Sequence, residues 1–271
     1  MSEDIKTREL SMAELFNFAG ELFKKHVKTI IGVWLTILSI TFAVIMGTVI
    51  MGTAITFAMP QLMGVTIFLA GGMLLVVLAL IGVAVPMTVN NLAVRSLEGE
   101  EVSLNKVIPT LPILFKGAAT TLLYGLIISV LALPVLLTLM TTLVNPTVTV
   151  VAGLVSAVLV INVAVRFAFV LQVVAHEAIW GVKALKRSNE LVKGKWLKTF
   201  AFLIFIVLFA AIPPLLDSTL GASFGGGTMV DVLSFAIVSI LSAMISYFTI
   251  LATSVWYLNR THTIKKVDEA R

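Results

Sequence analysis

The sequence predicts an all-α integral membrane protein with six transmembrane helices, and three observations support this fold class. Of the 271 residues, 59% are hydrophobic and only 12% are charged, and the mean hydropathy of +1.08 lies far above the range of soluble domains. Several apolar runs reach the roughly 20 residues that a helix needs to cross a bilayer core. The basic residues cluster in the segments at one end of these runs.

Helical periodicity and length give the bounds of each span. The six spans are expected at Thr29–Met51, Gly64–Val94, Ala118–Leu139, Val148–Val174, Thr199–Leu216 and Val230–Leu258. The connectors after the first, third and fifth spans are short and almost uncharged, whereas those after the second and fourth are longer and basic. The whole chain, 1–271, is expected to form a single membrane domain, with residues 259–271 as a cytoplasmic tail.

The distribution of Lys and Arg predicts the orientation. Every basic residue except Arg166 lies before the first span, between the second and third, between the fourth and fifth, or after the sixth. By the positive-inside rule both termini are cytoplasmic, and the expected location is the inner (cytoplasmic) membrane. The net charge of +5 is therefore assigned to topology and to attraction for anionic lipid, and no nucleic-acid partner is expected.

A phrase recurs where the chain enters the first, third and fifth spans. It reads ELFKK at 21–25, ILFKG at 113–117 and ELVKG at 190–194, each after a short helical pattern. This predicts three pseudo-repeated hairpins, about 10–94, 103–174 and 182–258, each preceded by an interfacial amphipathic helix. We call the three basic segments before these hairpins (6–28, 95–116 and 183–198) the collar. The alternative is that basic residues precede the inward ends of spans in any multispan protein.

The third collar segment is the most basic and includes ALKRSNELVKGKW at 184–196. Apolar and neutral positions at helical spacing predict a helix lying flat in the membrane interface, with two Trp residues at headgroup level. That apolar side is formed by Val182, Leu185, Asn189, Val192 and Trp196. The candidate contacts to anionic lipid or to a partner are Lys183, Lys186, Arg187, Lys193, Lys195, Trp180 and Trp196. Two interpretations remain open: a topology signal with lipid contact, or a docking surface for a soluble partner or phosphate-bearing ligand.

Arg166 is the one basic residue expected inside the membrane. It precedes His176 by ten residues, which places it roughly 15 Å inside the helix end. A charge at that depth costs about 2.5–3.5 kcal/mol on insertion scales. Asn90, Asn91 or Asn162 could satisfy the guanidinium and make Arg166 a structural anchor. The alternative is a contact to lipid phosphate or to an anionic substrate.

Enzyme and metal signatures are missing from the sequence. The pair His176-Glu177 begins like a zinc-protease motif, but Trp180 occupies the place of the second His. The sequence contains no Cys, so Cys-ligated metals and disulfides are excluded. Asp217 and Asp231 flank a Gly-rich turn and are interpreted as helix caps rather than as a cation entrance. Neither a metal nor a cofactor is expected.

The chain resembles a family of membrane domains first described beside glycerophosphodiester phosphodiesterases. Three stretches carry the resemblance: LSMAELFNFAGELFKKH, EGEEVSLNKVI and HEAIWGVKALKRSNELVKGKWLKTF. The family signature matches Glu177, Ala184, Leu185, Lys186, Arg187, Ser188, Leu191, Lys193, Gly194 and Trp196. A Pro common after the acidic residue is absent, and Asn189 stands where an aromatic is frequent. The resemblance implies six helices and a membrane location; the phosphodiesterase activity of fused members belongs to a separate soluble domain without a counterpart in this sequence.

Two functions are consistent with these features. The first is a non-enzymatic accessory or scaffold protein whose basic cytoplasmic collar engages anionic lipid headgroups, a partner protein or both. The second is a small transporter or channel for an anionic or amphiphilic substrate, with Arg166 in the pathway. The sequence contains no indication of the oligomeric state.

Overall fold

The computed structural model describes residues 5, 8–59, 61, 63–100, 102–141, 146–216 and 228–269, and within these ranges the chain is helical without strands. The helices are α1 Met12–Ala58, α2 Met63–Glu98, α3 Leu104–Val107, α4 Leu111–Thr141, α5 Pro146–Arg166, α6 Val170–Glu177, α7 Val182–Val192, α8 Trp196–Ala210 and α9 Thr228–Glu269. A turn at Ala211 separates α8 from a helical stretch at 212–216. Asp217, which we expected to cap a helix, lies outside the described residues.

Six helices are long and apolar enough to cross a membrane. They comprise Met12–Ala58, Leu74–Glu98, Leu111–Pro134, Val150–Glu177, Trp196–Leu216 and Ala236–Ile264. Large apolar side chains point outward from these helices, among them Phe42, Leu126 and Val158, each more than 60% exposed. Such a surface requires a lipid solvent, because a soluble monomer rarely exposes so much contiguous apolar area. The prediction of an all-helical, multi-pass membrane protein is confirmed at this level.

The three collar segments differ in structure. The first continues without interruption into α1, a helix of 47 residues that begins at a capping box formed by Ser11 and Glu14. The second contains the end of α2, the four-residue helix α3 and the beginning of α4, and the third forms the separate eleven-residue helix α7 and the beginning of α8. The separate interfacial helix expected before the first span is instead continuous with that span, because the helix runs unbroken through Gly20, the one Gly or Pro between Ser11 and Thr29.

The fourth span is broken, although the sequence predicts one continuous helix over Val148–Val174. Helix α5 ends at Arg166, and α6 begins at Val170 after a turn through residues 167–169. Neither Pro nor Gly lies at this turn. We attribute it instead to hydrogen bonds from the side chain of Ser188, which the next section describes. Arg166 thus occupies the end of a helix rather than its middle.

The best-packed core lies at the end of the bundle where the charged residues gather, which we call the charged end. Its largest fully buried side chains include Trp256, Tyr257, Phe169 and Phe202. Phe202 meets Trp256 edge-on, with ring centroids 4.6 Å apart, a favourable aromatic geometry. This core holds the collar residues in defined positions.

The first three residues of the segment 259–271, which the sequence assigns to a cytoplasmic tail, are buried beside this core. Helix α9 continues through the boundary to Glu269, and Asn259, Arg260 and Thr261 are 2%, 6% and 7% exposed. The sequence could not indicate this burial, since polar residues after a span are ordinarily solvated. Their hydrogen bonds explain how they are accommodated.

Candidate functional site at the collar

Left-handed backbone positions shape the third collar segment. The chain leaves α6 through Ala178 at φ 55° and enters α7 through Gly181 at φ 63°, and Gly194 at φ 78° separates α7 from α8. Glycine populates such angles without steric cost. Gly194 therefore permits the turn that leads α7 into the next span.

The buried face of helix α7 shares Leu185 and Val192 with the predicted apolar side, but it does not include Val182 or Asn189. The buried residues are Ala184, Leu185, Ser188, Leu191 and Val192, and they pack against the protein. Val182 is 60% exposed, and Asn189 is half-buried. The prediction counted Val182 and Asn189 on the apolar side because it assumed that lipid, rather than neighbouring helices, covers that side.

The Ser188 side chain stabilises the turn that interrupts the fourth span. Its hydroxyl donates to the carbonyl oxygen of Arg166 at 3.0 Å and accepts from the backbone N–H of Phe169 at 3.1 Å. Because the helix is interrupted here, neither backbone group makes its usual helical hydrogen bond to the residue four positions away. One buried side chain on α7 thus satisfies both sides of the break, which assigns a structural role to Ser188.

Arg187 and Glu177 form the central ion pair. The Arg187 Nε donates to both carboxylate oxygens of Glu177 at 3.1 Å, and the Tyr257 hydroxyl donates to Glu177 Oε1 at 3.0 Å. Burial by itself would lower the pKa of Arg187, but the bonds and charges of Glu177 and Glu190 raise it. The arginine therefore stays charged and connects the end of the fourth span to α7 and α9.

Lys195 and Lys198 bind the N-terminal segment. Lys195 Nζ lies 2.7 Å from Glu9 Oε2, while Lys198 Nζ donates to Glu9 Oε1 at 2.8 Å and to the Leu10 carbonyl at 2.6 Å. Partial burial would raise the pKa of Glu9, but the hydrogen bonds and charges of the two lysines together lower it from 4.5 to about 2. Lys195, predicted as a lipid contact, is thus already paired within the chain.

Asn259 and Arg260 satisfy backbone groups of two other segments. Asn259 donates to the carbonyls of Ile5 and Arg8 and accepts from the Leu10 N–H. Arg260 donates to the carbonyls of Leu191 and Lys193 at 2.9 and 3.3 Å. The sequence analysis missed Glu9, Tyr257, Asn259 and Arg260, because every one of these contacts is distant in sequence.

Three lysines of the segment remain exposed to solvent. Lys183, Lys186 and Lys193 are exposed and form no salt bridge with any residue that the structure describes. Beside them Trp180, Val182 and Leu197 are 54%, 60% and 74% exposed. Trp196 differs, since it is half-buried and stacks on Phe200 with ring centroids 5.2 Å apart. The outer surface of the segment therefore combines unpaired cations with exposed apolar side chains.

The predicted intramembrane polar site is not gathered in one place. The exposed Arg166 donates to Asn162 Oδ1, one helical turn away, at 2.7 Å. Asn91 donates to the Val107 carbonyl at 3.0 Å, whereas both polar atoms of the buried Asn90 lack a partner among the described residues. Of the three amides considered, Asn162 is the one that satisfies Arg166.

The described residues contain no group of three or more His, Asp or Glu that could hold a metal ion. His26 bonds to the Ser96 hydroxyl at 2.7 Å, and His176 contacts the Tyr257 ring edge-on at 5.9 Å. Each ring therefore contacts another side chain of the protein: His26 contacts Ser96, and His176, from the incomplete zinc motif, contacts Tyr257.

These features define a class: an all-α, multi-pass membrane protein with an internally paired charged end. Comparison of the chain with protein-family models, with curated proteins and with solved structures gives no match. The function is therefore inferred from the site alone.

Proposed function

We propose that this is a non-enzymatic, multi-pass protein of the cytoplasmic membrane that engages anionic lipid headgroups through its collar. The observation that carries the proposal is the division of the six cations of the third collar segment into two groups. Arg187, Lys195 and Lys198 bind carboxylates of the chain itself. Lys183, Lys186 and Lys193 are exposed and have no such partner among the described residues.

The exposed lysines have the surroundings that a membrane surface favours. Trp180 and Leu197 are exposed beside them, and an indole ring together with aliphatic side chains partitions to the headgroup region. Each lysine near an anionic surface contributes about 1 kcal/mol of attraction. Three such charges and an apolar anchor favour lipid over water as the neighbour of this surface.

The proposed orientation has both termini in the cytoplasm, and it follows from the positive-inside rule. In that orientation the collar faces the inner leaflet, whose anionic lipids supply the phosphate groups. Three pseudo-repeated hairpins, and kinship with the membrane domains named above, belong to the same proposal. Its support is that Arg187, Ser188 and Gly194, three of the residues on which the resemblance rests, have defined structural roles in the collar.

Lipid retention in nanodiscs tests the proposal. The triple variant Lys183→Gln, Lys186→Gln, Lys193→Gln should lose bound phosphatidylglycerol by about a hundredfold at low salt, since three charges of about 1 kcal/mol each are removed. Native mass spectrometry of the full chain, in discs that mix phosphatidylglycerol with phosphatidylcholine, measures the retained lipid.

The matched control replaces the same three lysines with arginine and keeps the charge. This variant should retain phosphatidylglycerol, and added salt should weaken its binding as it weakens that of the wild-type protein. Equal retention by the glutamine variant and the wild type would refute the headgroup contact. Retention of a protein instead of lipid would support the scaffold role in place of lipid binding.

The alternative, a small transporter or channel with Arg166 in its pathway, has weaker support. Arg166 ends α5, is exposed, and pairs with Asn162 one helical turn away. Flux across liposomes that disappears in Arg166→Ala, with the fold retained, would reverse this ranking.

A further inference from the structure

Helix α5 is long enough to cross a membrane without the helix that follows it. It runs from Pro146 to Arg166, a length of 21 residues. At 1.5 Å per residue this is about 31 Å, close to the roughly 30 Å of a hydrocarbon core. The carbonyl oxygen of Arg166 accepts a hydrogen bond from Ser188 of α7 at 3.0 Å. The end of α5 therefore lies against a collar helix, at the boundary between hydrocarbon and headgroups.

Helices α5 and α6, which meet at the break, have different surroundings. The buried residues of α6 are Val170, Gln172, Val173 and Val174, and this helix packs against α2, α4 and α7. In α5, by contrast, apolar side chains remain exposed along most of the length, from Val148 to Ile161. The chain thus passes at the break from a helix that faces lipid into a helix that is enclosed by protein.

Arg166 continues a lipid-facing stripe of α5. Val155 and Leu159 are 56% and 45% exposed, and they precede Arg166 by eleven and seven residues, a spacing that places all three on one side of a helix. Arg166 is itself exposed and forms no salt bridge with any residue that the structure describes. A lipid that lies against this stripe therefore meets a cation at the level of its headgroup.

Asn162 fixes the direction of the Arg166 guanidinium. The Arg166 Nε donates to Asn162 Oδ1 at 2.7 Å, and side chains in a helix lean toward its N-terminus. The guanidinium is thus held back along α5, one turn toward the apolar part of the stripe. Its two terminal nitrogens, Nη1 and Nη2, make no hydrogen bond within the described part of the chain. Together they form a fork that matches two oxygens of a phosphate.

A cation in this position favours a phosphate as its neighbour. The cost of a charge on the lipid side of a span is reduced when the side chain extends to the interface or when headgroups and water move toward it. The bond to Asn162 opposes the first route for Arg166. Among the groups of a bilayer that can move toward the guanidinium, the phosphate carries the negative charge and the acceptor oxygens.

We infer that Nη1 and Nη2 of Arg166 bind the phosphate of one phospholipid in the leaflet at the charged end, with its acyl chains along Val155 and Leu159. A second protein chain is a poorer occupant, because its carboxylate would have to lie on the lipid side of a span, at a similar cost. A phospholipid already carries its charge at this boundary. The fork requires a phosphate and no net lipid charge, so phosphatidylcholine is a sufficient ligand.

This site is separate from the exposed lysines, and the inference does not rest on the proposed contact between the collar and anionic lipid. Arg166 lies outside the third collar segment, and a zwitterionic phospholipid satisfies it. Experiments in pure phosphatidylcholine therefore test Arg166 without the anionic lipid that attracts lysines. The triple glutamine variant of Lys183, Lys186 and Lys193 should retain this phosphatidylcholine as the wild type does.

Solid-state NMR of the full chain in phosphatidylcholine bilayers tests the contact directly. The protein carries ¹³C-labelled arginine, and recoupling to the lipid ³¹P reduces the signal of a guanidinium carbon that is close to a phosphate. The Arg166 signal is identified as the one that is missing from the spectrum of Arg166→Lys. This signal should lose intensity in the wild type when the lipid phosphorus is recoupled.

A second bilayer separates lipid phosphate from free phosphate. Digalactosyldiacylglycerol is an uncharged lipid without phosphorus, and inorganic phosphate is added to the buffer of these samples. The Arg166 signal should keep its intensity there, because lipid covers the stripe and the free anion has no chains to hold it against α5.

Native mass spectrometry of the chain, extracted from phosphatidylcholine bilayers into mild detergent, measures the retained lipid. Arg166→Leu should reduce the retained phosphatidylcholine about tenfold or more, since it loses the hydrogen bonds of the fork. Lys186→Leu removes one exposed cation from the collar and is the matched control, which should retain phosphatidylcholine as the wild type does. In detergent without phospholipid, Arg166→Leu should unfold at the wild-type temperature, because the replaced side chain is exposed, so lost lipid is not lost folding.

An Arg166 signal that keeps its intensity in phosphatidylcholine would overturn the inference, and this measurement requires only the wild type to bind lipid. A loss of intensity in the galactolipid with inorganic phosphate would overturn it too, because the ligand would then be the free anion. Equal retention of phosphatidylcholine by the wild type and Arg166→Leu would have the same consequence.

Discussion

Two deeply buried asparagines, Asn259 at the charged end and Asn90 in α2, are accommodated in opposite ways. Asn259 is 2% exposed and makes three hydrogen bonds to backbone groups of the N-terminal segment. Asn90 is 1% exposed and makes none with the described residues. The two amides are buried to nearly the same extent. That of Asn259 holds the N-terminal segment by hydrogen bonds, whereas that of Asn90 has no hydrogen-bond partner among the described residues. Burial of a polar side chain therefore indicates a structural role only where its partners are identified.

The largest effect should come from Asn259→Leu. The substitution leaves the carbonyls of Ile5 and Arg8 and the Leu10 N–H without their partner, and we expect a loss of about 3 kcal/mol in the free energy of unfolding. Thermal unfolding in detergent measures it. A loss of less than about 0.5 kcal/mol, the range of ordinary surface substitutions, would remove the contrast between the two regions.

Ser188→Ala should cost about 2 kcal/mol, because the Arg166 carbonyl and the Phe169 N–H both lose their partner at the break. Asn189→Ala, at the neighbouring half-buried position, is the control and should cost less. Hydrogen exchange at the amide of Phe169 provides a local readout and should accelerate in the Ser188 variant alone. Unchanged protection there would show that the break does not need the serine.

Asn90→Leu should raise the free energy of unfolding by about 1 kcal/mol. The substitution replaces a buried amide without partners among the described residues by an apolar group of similar volume. The measurement is the same unfolding transition used for Asn259→Leu. A loss of stability as large as that of Asn259→Leu would mean that Asn90 has a partner as effective as those of Asn259.

The Glu9 contact should depend on pH. Its pKa is lowered from 4.5 to about 2 in the folded protein, so the carboxylate contributes stability above pH 4.5 and loses it as the pH falls toward 2. The difference in melting temperature between wild type and Glu9→Gln should be full at pH 6 and smaller at pH 3. A difference that stays constant over this range would contradict the pairing with Lys195 and Lys198.

Hydropathy was sufficient to locate the six apolar helices, because the need to satisfy backbone groups in lipid leaves few alternatives. It could not locate the break at 167–169, which depends on Ser188 rather than on a local Pro or Gly. The sequence analysis also identified Glu177 and Arg187 as signature residues without indicating that they bind each other. The pairs of Lys198 with Glu9 and of Asn259 with Ile5 join residues 189 and 254 positions apart, beyond the reach of local patterns.

The dependence of the break on Ser188 imposes an order on biosynthesis. Ser188 follows Phe169 by 19 residues, so at the usual rate of translation it is added about one to four seconds later. Until α7 folds against it, the fourth span lacks the side chain that satisfies its turn, and an unbroken helix satisfies more of its backbone groups. The mature shape of this span is therefore acquired after its synthesis, when the following helix docks against it.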